Sequence, residues 1–170
     1  MTISNVETIT GGTGADTITL GAAASGATIA LGAGADSLTL AAGGNTLTLG
    51  ADIETVTGGT GADLITLTAG QTSGTIDLGA GTDSVTLFNA ANTLTISNAE
   101  TITGNSAVDN IILGAAISGA AVSLGTGVDS LTLANGANTI TATNVETITG
   151  GTGAEGDVVG AGAAGDGLDV

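Results

Sequence analysis

The chain has no lysine, arginine or histidine, no cysteine, no proline, no tryptophan or tyrosine, and a single phenylalanine, Phe88. Each absence excludes something. Without a basic side chain nothing can neutralise phosphate or an anionic headgroup by direct pairing, so nucleic acid and membrane surfaces are poor partners. The same lack removes every tryptic cleavage site, which suits an extracellular life. Without cysteine, disulfides cannot act as staples. Histidine, lysine, cysteine and tyrosine are also the usual bases and nucleophiles, and only carboxylates and hydroxyls remain for such work. With almost no aromatics, the large apolar set is Leu, Ile and Val beside Ala, which can fill a thin two-layer interior but not a wide one. No apolar run approaches the ~20 residues of a membrane helix. The N-terminus has no basic stretch followed by an apolar run, so no signal peptide is read there.

What is present is equally one-sided. The 170 residues include 31 glycines and 16 acidic side chains, for a formal charge of −16. A cation has to balance much of that charge wherever carboxylates come close together. Only 9% of residues are charged, against ~25% in average proteins. High glycine and few aromatics are traits of disordered chains, but a mean hydropathy of +0.51 argues for a packed interior.

Internal repetition dominates the pattern. Glu7, Glu54, Glu100 and Glu146 recur in similar contexts, 47, 46 and 46 residues apart. Each long unit divides into short segments in which Thr or Ser alternates with an aliphatic residue, such as Thr17-Ile18-Thr19-Leu20 and Thr46-Leu47-Thr48-Leu49. That alternation predicts strands with one buried and one solvated face. Between them lie turns such as Gly11-Gly12-Thr13-Gly14-Ala15-Asp16, and the abundance of Gly and Thr disfavours helix. The residue before each strand follows a fixed order: Asp16, Ala27, Asp36, Asn45 and Glu54; then Asp63, Gly74, Asp83, Asn92 and Glu100; then Asp109, Ala120, Asp129, Asn138 and Glu146. Most steps are nine residues, and the step into Ala27 is lengthened by an extra loop at Ala22 to Gly26.

On these residues the chain resembles the haemolysin-type calcium-binding nonapeptide repeats, G-G-x-G-x-D-x-U-x with U aliphatic. Gly11 to Thr19 and Gly58 to Thr66 match every position. The turns ending at Asp36, Asp83 and Asp129 carry Leu31, Leu78 and Leu124 in place of the first glycine. Two turns depart further: Asp109 follows Asn105-Ser106-Ala107-Val108, and the fourth copy has Glu155 at the motif position. The resemblance implies an all-β fold, a right-handed parallel β-roll (a two-sided β-solenoid) with two strands and two turns in each coil of about 18 residues. Here it would run over residues 1–159 within the 46–47-residue super-repeat, followed by a glycine-rich tail at 160–170. The spacing favours two sides over three, because only a two-sided roll stacks the aspartates in pairs: Asp16 with Asp36, Asp63 with Asp83, and Asp109 with Asp129.

The resemblance further implies Ca²⁺ held between stacked turns by one aspartate from each and by turn carbonyls. The implied metal-site residues are Gly12, Gly14, Asp16, Gly32, Gly34, Asp36, Gly59, Gly61, Asp63, Gly79, Gly81, Asp83, Asp109, Gly125, Gly127 and Asp129. The Glu and Asn turns are expected to be ordinary corners. Paired carboxylates serve glycosidases, but here every carboxylate of the pairs sits at a repeat position, so a structural or binding module is expected rather than an enzyme. The expectation is a secreted or cell-surface bacterial protein: a surface-layer, adhesin or filament module, or else the calcium-dependent repeat domain of a secreted enzyme or toxin. A third alternative, ice binding, is suggested by outward Thr-x-Thr pairs such as Thr17 and Thr19, although Asp77 and Ile112 interrupt that array. Expected partners are calcium ions and, end to end, further copies of the chain, without nucleic acid or membrane insertion.

Overall fold

The computed structural model describes residues 1–152, 157–161 and 167–168. Their strands alternate between two sheets, ten in one and nine in the other, and every strand pairs in parallel with the strand two places along the chain. The molecule is therefore a parallel β-solenoid of about eight coils, each a strand, a turn, a strand in the opposite sheet and a second turn.

The Thr-aliphatic alternation sets the two faces. In the strand Thr17–Leu20, Ile18 and Leu20 are buried and Thr17 is exposed. Parallel register stacks like on like. Ile18 pairs with Leu38, Leu38 with Val56 and Val56 with Ile76 in one sheet. In the other sheet Ile9 pairs with Ile29, and Ile29 with Leu49. These columns face each other as a thin aliphatic interior in which Ile29, Leu38, Ile65 and Ile111 have no exposed surface. The single aromatic, Phe88, lies in a turn and is 39% exposed.

Coil length is not the uniform 18 residues that a pure nonapeptide repeat requires. Thr17 pairs with Ser37, twenty residues on, and Ser84 with Thr101, seventeen on. The longer coil carries the extension at Ala22 to Gly26; the shorter passes through a glutamate turn. Tight glutamate turns are possible because the residue two before each Glu adopts a left-handed conformation: Asn5 (φ 55°), Asp52 (60°), Asn98 (54°) and Asn144 (54°). Asn and Asp tolerate that region better than other non-glycine residues.

The extension itself is only partly a loop. In the first and third copies the strand starts early, as Ser25–Gly32 and Ser118–Gly125. A register shift falls at Gly26 and Gly119, both at positive φ. In the second copy Thr75–Gly79 begins later, and Thr75 pairs with Thr95. At the far end Val158–Ala161 pairs with Thr139–Thr143, and Gly167–Leu168 pairs with Thr147–Thr149. The boundary expected at residue 160 thus falls within a strand, while Glu155 lies outside the described residues.

Candidate metal sites on the sheet edges

The aspartates that the repeat places before each strand turn inward and form ladders along the edges of the solenoid. The backbone N–H of Asp16 donates to Asp36 Oδ1 at 2.8 Å, and that of Asp36 donates to Glu54 Oε2 at 2.6 Å. A second ladder runs from Asn45 to Asp63 (2.8 Å), Asp83 (2.7 Å) and Glu100 (2.7 Å). A third contains Asn92, Asp109, Asp129 and Glu146: Asn92 Nδ2 donates to Asp109 Oδ1 at 2.7 Å, and the N–H groups of Asp109 and Asp129 donate to Asp129 Oδ1 at 2.7 Å and Glu146 Oε2 at 2.6 Å. Asn138 and Asp157 begin a fourth, joined at 2.7 Å. All three expected aspartate pairs are therefore adjacent rungs. The Asn and Glu turns, expected to be plain corners, are the heads and ends of the same ladders. The position before each head is held by Ala24, Gln71 and Ile117, whose N–H groups donate to Asn45, Asn92 and Asn138. Ala27, Gly74 and Ala120, read from the spacing as the gap positions, lie three residues further on.

The asparagine rungs show what surrounds the second side-chain atom. Asn45 Nδ2 donates to two carbonyls of its own turn, Ala41 O at 3.0 Å and Gly43 O at 2.8 Å, and to Asp63 Oδ1 of the next coil at 2.8 Å. Asn92 repeats the pattern with Phe88 O, Ala90 O and Asp109 Oδ1. Asn138 does so with Ala134 O, Gly136 O and Asp157 Oδ1. Aspartate has the same shape as asparagine, and its Oδ1 accepts the same N–H from the preceding coil. While the aspartate's own N–H binds the carboxylate of the next coil, its Oδ2 stands at the side-chain position that Nδ2 holds in asparagine. That oxygen has no partner and is buried at Asp36, Asp63, Asp83, Asp109 and Asp129, each residue being at most 1% exposed. Asp16, at one end of the solenoid, is half-buried, and its Oδ2 accepts from Gly12 N at 3.1 Å.

A buried anion among acceptors is unstable without a proton or a cation. Burial is the main reason the carboxyls of Asp83, Asp109 and Asp129 titrate above the ordinary carboxylate range. Hydrogen bonds from Asp63, Asn92 and Asp109 respectively oppose the shift, and the charges of neighbouring rungs add to it: Asp63 and Glu100 on Asp83, Asp129 on Asp109, Glu146 on Asp129. Among the described residues no point gathers three or more carboxylates. Each inner aspartate rung instead brings two carboxylates together beside the turn backbone, its own and the one of the next coil that its N–H binds. Such a set fits a hard cation that takes carbonyl and carboxylate oxygen together.

The glycines divide by what surrounds them. A Cβ at Gly12 or Gly14 would meet nothing within 4 Å. At Gly34 it would lie 2.6 Å from Gly14 O, and at Gly127 2.8 Å from Ala107 O. At Gly61 and Gly81 it would run into the backbone of Gly43 and Gly61. At Gly59 it would approach Ala41 O to 3.0 Å. Gly32, Gly79 and Gly125 hold positive φ and abut the backbone of the preceding coil. Three glycines outside the implied metal-site set, Gly11, Gly58 and Gly104, occupy the first motif position five residues before Asp16, Asp63 and Asp109, where a Cβ would collide with the carbonyls of Leu31, Leu78 and Leu124. The Asp109 turn keeps Gly104 and its place in the ladder despite lacking the inner glycines.

These features define the chain as a two-sheet parallel β-solenoid with carboxylate ladders along its edges. Comparison with protein-family models, with curated proteins and with solved structures finds no match.

Proposed function

We propose that the chain is a calcium-binding structural module of a secreted bacterial protein, in which cations held at the aspartate rungs join successive coils. The observation that carries this reading is the buried, unpartnered Oδ2 at each inner aspartate rung, in the place that an amide nitrogen fills at the asparagine rungs. Ca²⁺ takes six to eight oxygen ligands from carboxylates and carbonyls in flexible geometry, whereas Mg²⁺ demands a tighter octahedron and keeps its waters. A bound dication would supply the positive charge that the chain itself lacks. In that role the ladders convert external calcium into rod stiffness, and the repeating positions of the carboxylates favour a structural over a catalytic role. Surface-layer, adhesin or filament modules are the favoured setting, with the repeat domain of a secreted enzyme or toxin as the alternative. Circular dichroism in chelator should show coil that converts to strand on adding Ca²⁺; a full β spectrum in chelator would refute calcium-driven folding.

A second reading rests on a different face. Thr17, Ser37, Thr55, Thr75 and Thr95 form an outward hydroxyl row across five consecutive coils, which favours ice binding. Thermal hysteresis of the calcium-loaded chain decides it, and its absence removes this alternative.

A further inference from the structure

The oxygens that a cation would take at an aspartate rung are already satisfied, at each ladder head, by a nitrogen of the chain itself. Asn45, Asn92 and Asn138 are at most 1% exposed. Each directs Nδ2 at the same three oxygens: two carbonyls of its own turn and the carboxylate of the next coil, at distances from 2.6 to 3.0 Å. We propose that these asparagines are built-in substitutes for a bound cation. The amide –NH2 fills the oxygen cage at the head of a ladder, so that this coil interface is locked without metal and cation binding is confined to the aspartate rungs beyond it. The inference rests on the calcium reading of those rungs and adds the residue that decides where they begin.

Asparagine and aspartate differ here by one atom and one charge. With nitrogen in the cage, two N–H groups point at the surrounding oxygens, and neither room nor net negative charge is left to hold an ion. With oxygen in the cage, acceptor faces acceptor, and only an added positive charge makes the arrangement stable. The choice between the two residues therefore sets, coil by coil, which interfaces depend on cation. It also explains why the heads are not ordinary corners. Asn45 begins its ladder on one edge while Asp36 and Glu54 complete theirs on the other, so a metal-independent clamp lies beside the end of each preceding ladder.

The test is a set of single-atom exchanges in one ladder. Asn45→Asp should bind about one additional calcium per chain at saturation and need more calcium to fold. Asp63→Asn should bind about one fewer and fold at lower calcium, whereas Asp63→Ala should lose ion and stability together. Asp77→Asn, outside the ladders on a strand, serves as the charge control. Calorimetry reads the number of ions, and circular dichroism in graded chelator reads the folding midpoint. The same exchanges at Asn92 and Asp109 on the opposite edge guard against one variant that simply misfolds. No extra ion in Asn45→Asp, or Asp63→Asn behaving like Asp63→Ala, would overturn the inference. If the unaltered chain binds no calcium, the calcium reading itself fails. Stability in chelator then decides the amide's role: Asp63→Asn above the unaltered chain and Asn45→Asp below it would sustain that role, and equal stability would end it.

Discussion

Two sets of asparagines do unrelated jobs in this chain, and backbone conformation separates them. At Asn45, Asn92 and Asn138 the side chain is buried and its amide closes a turn. At Asn5, Asn98 and Asn144 the backbone is left-handed and sets up a glutamate turn. Asn144 is exposed and its φ is 54°. Asn144→Ala should therefore cost about 1 kcal/mol, the penalty of a left-handed residue carrying an ordinary Cβ, while Asn144→Gly should be close to neutral. Thermal unfolding in calcium compares the two, and equal losses would mean that the side chain rather than φ matters. In the interior, Leu38 has no exposed surface and is sandwiched in its column between Ile18 and Val56. Leu38→Ala should cost about 2–5 kcal/mol, because adjacent coils cannot collapse onto the void; denaturant titration measures it.

At the level of the turn, glycines that look alike in sequence have different duties. Gly79 combines φ of +81° with a carbonyl of Gly59 where a Cβ would go. Gly12 faces open space. Gly79→Ala should therefore destabilise the chain clearly, by more than the ~1 kcal/mol of left-handed strain alone, whereas Gly12→Ala should change little. Matched melting curves check the contrast, and a costly Gly12→Ala would point to a role beyond sterics. The extension shows the same limit of consensus reading. Spacing marks an insertion at Ala22 to Gly26, but only pairing shows that Gly26 is a bulge within a strand and that Ala24 donates to the Asn45 rung.

At the scale of the rod, the super-repeat contains five strands, an odd number, so successive ladders lie on alternate edges of a two-sheet solenoid. Acid should then act on the metal-free chain in an unusual direction. The carboxyls of Asp83, Asp109 and Asp129 hold their protons more tightly in the folded chain than in the unfolded one. Between the ordinary carboxylate value and the raised folded value, folding takes up protons. Stability in chelator should therefore rise as pH falls from about 7 toward about 4, and be lost again as pH climbs through the folded value. With saturating calcium the trend should reverse, since protons then displace the ion. Circular dichroism across pH in chelator, and unfolding titrations across pH in calcium, read the two trends; a metal-free chain that gains no strand as pH falls contradicts the first. Among the described residues the strands Thr2–Ile3 and Thr8–Gly12 each pair on one side only. Concentration-dependent light scattering in calcium is the expected sign of end-to-end stacking, and a strictly monomeric rod excludes it.

Sequence alone determined the strands, their facing, the two-sided stack and the aspartate pairs, because each follows from a local period: alternation by two within strands and recurrence of turn residues between them. Asp16 with Asp36 and Asp63 with Asp83 could be paired by counting. Tertiary structure decided what the count leaves open. Whether an aspartate points into the turn or away from it, and that Asn45 Nδ2 finds oxygens while the Oδ2 atoms of the inner aspartates are buried without a partner, depend on the neighbouring coil. So does the membership of Glu54, Glu100 and Asp157 in ladders whose motif they do not match, since a glutamate reaches its rung only because the preceding left-handed residue shortens the turn. These facts arise from contacts between residues some seventeen to twenty positions apart, and a local consensus carries no information about which atoms meet across that distance.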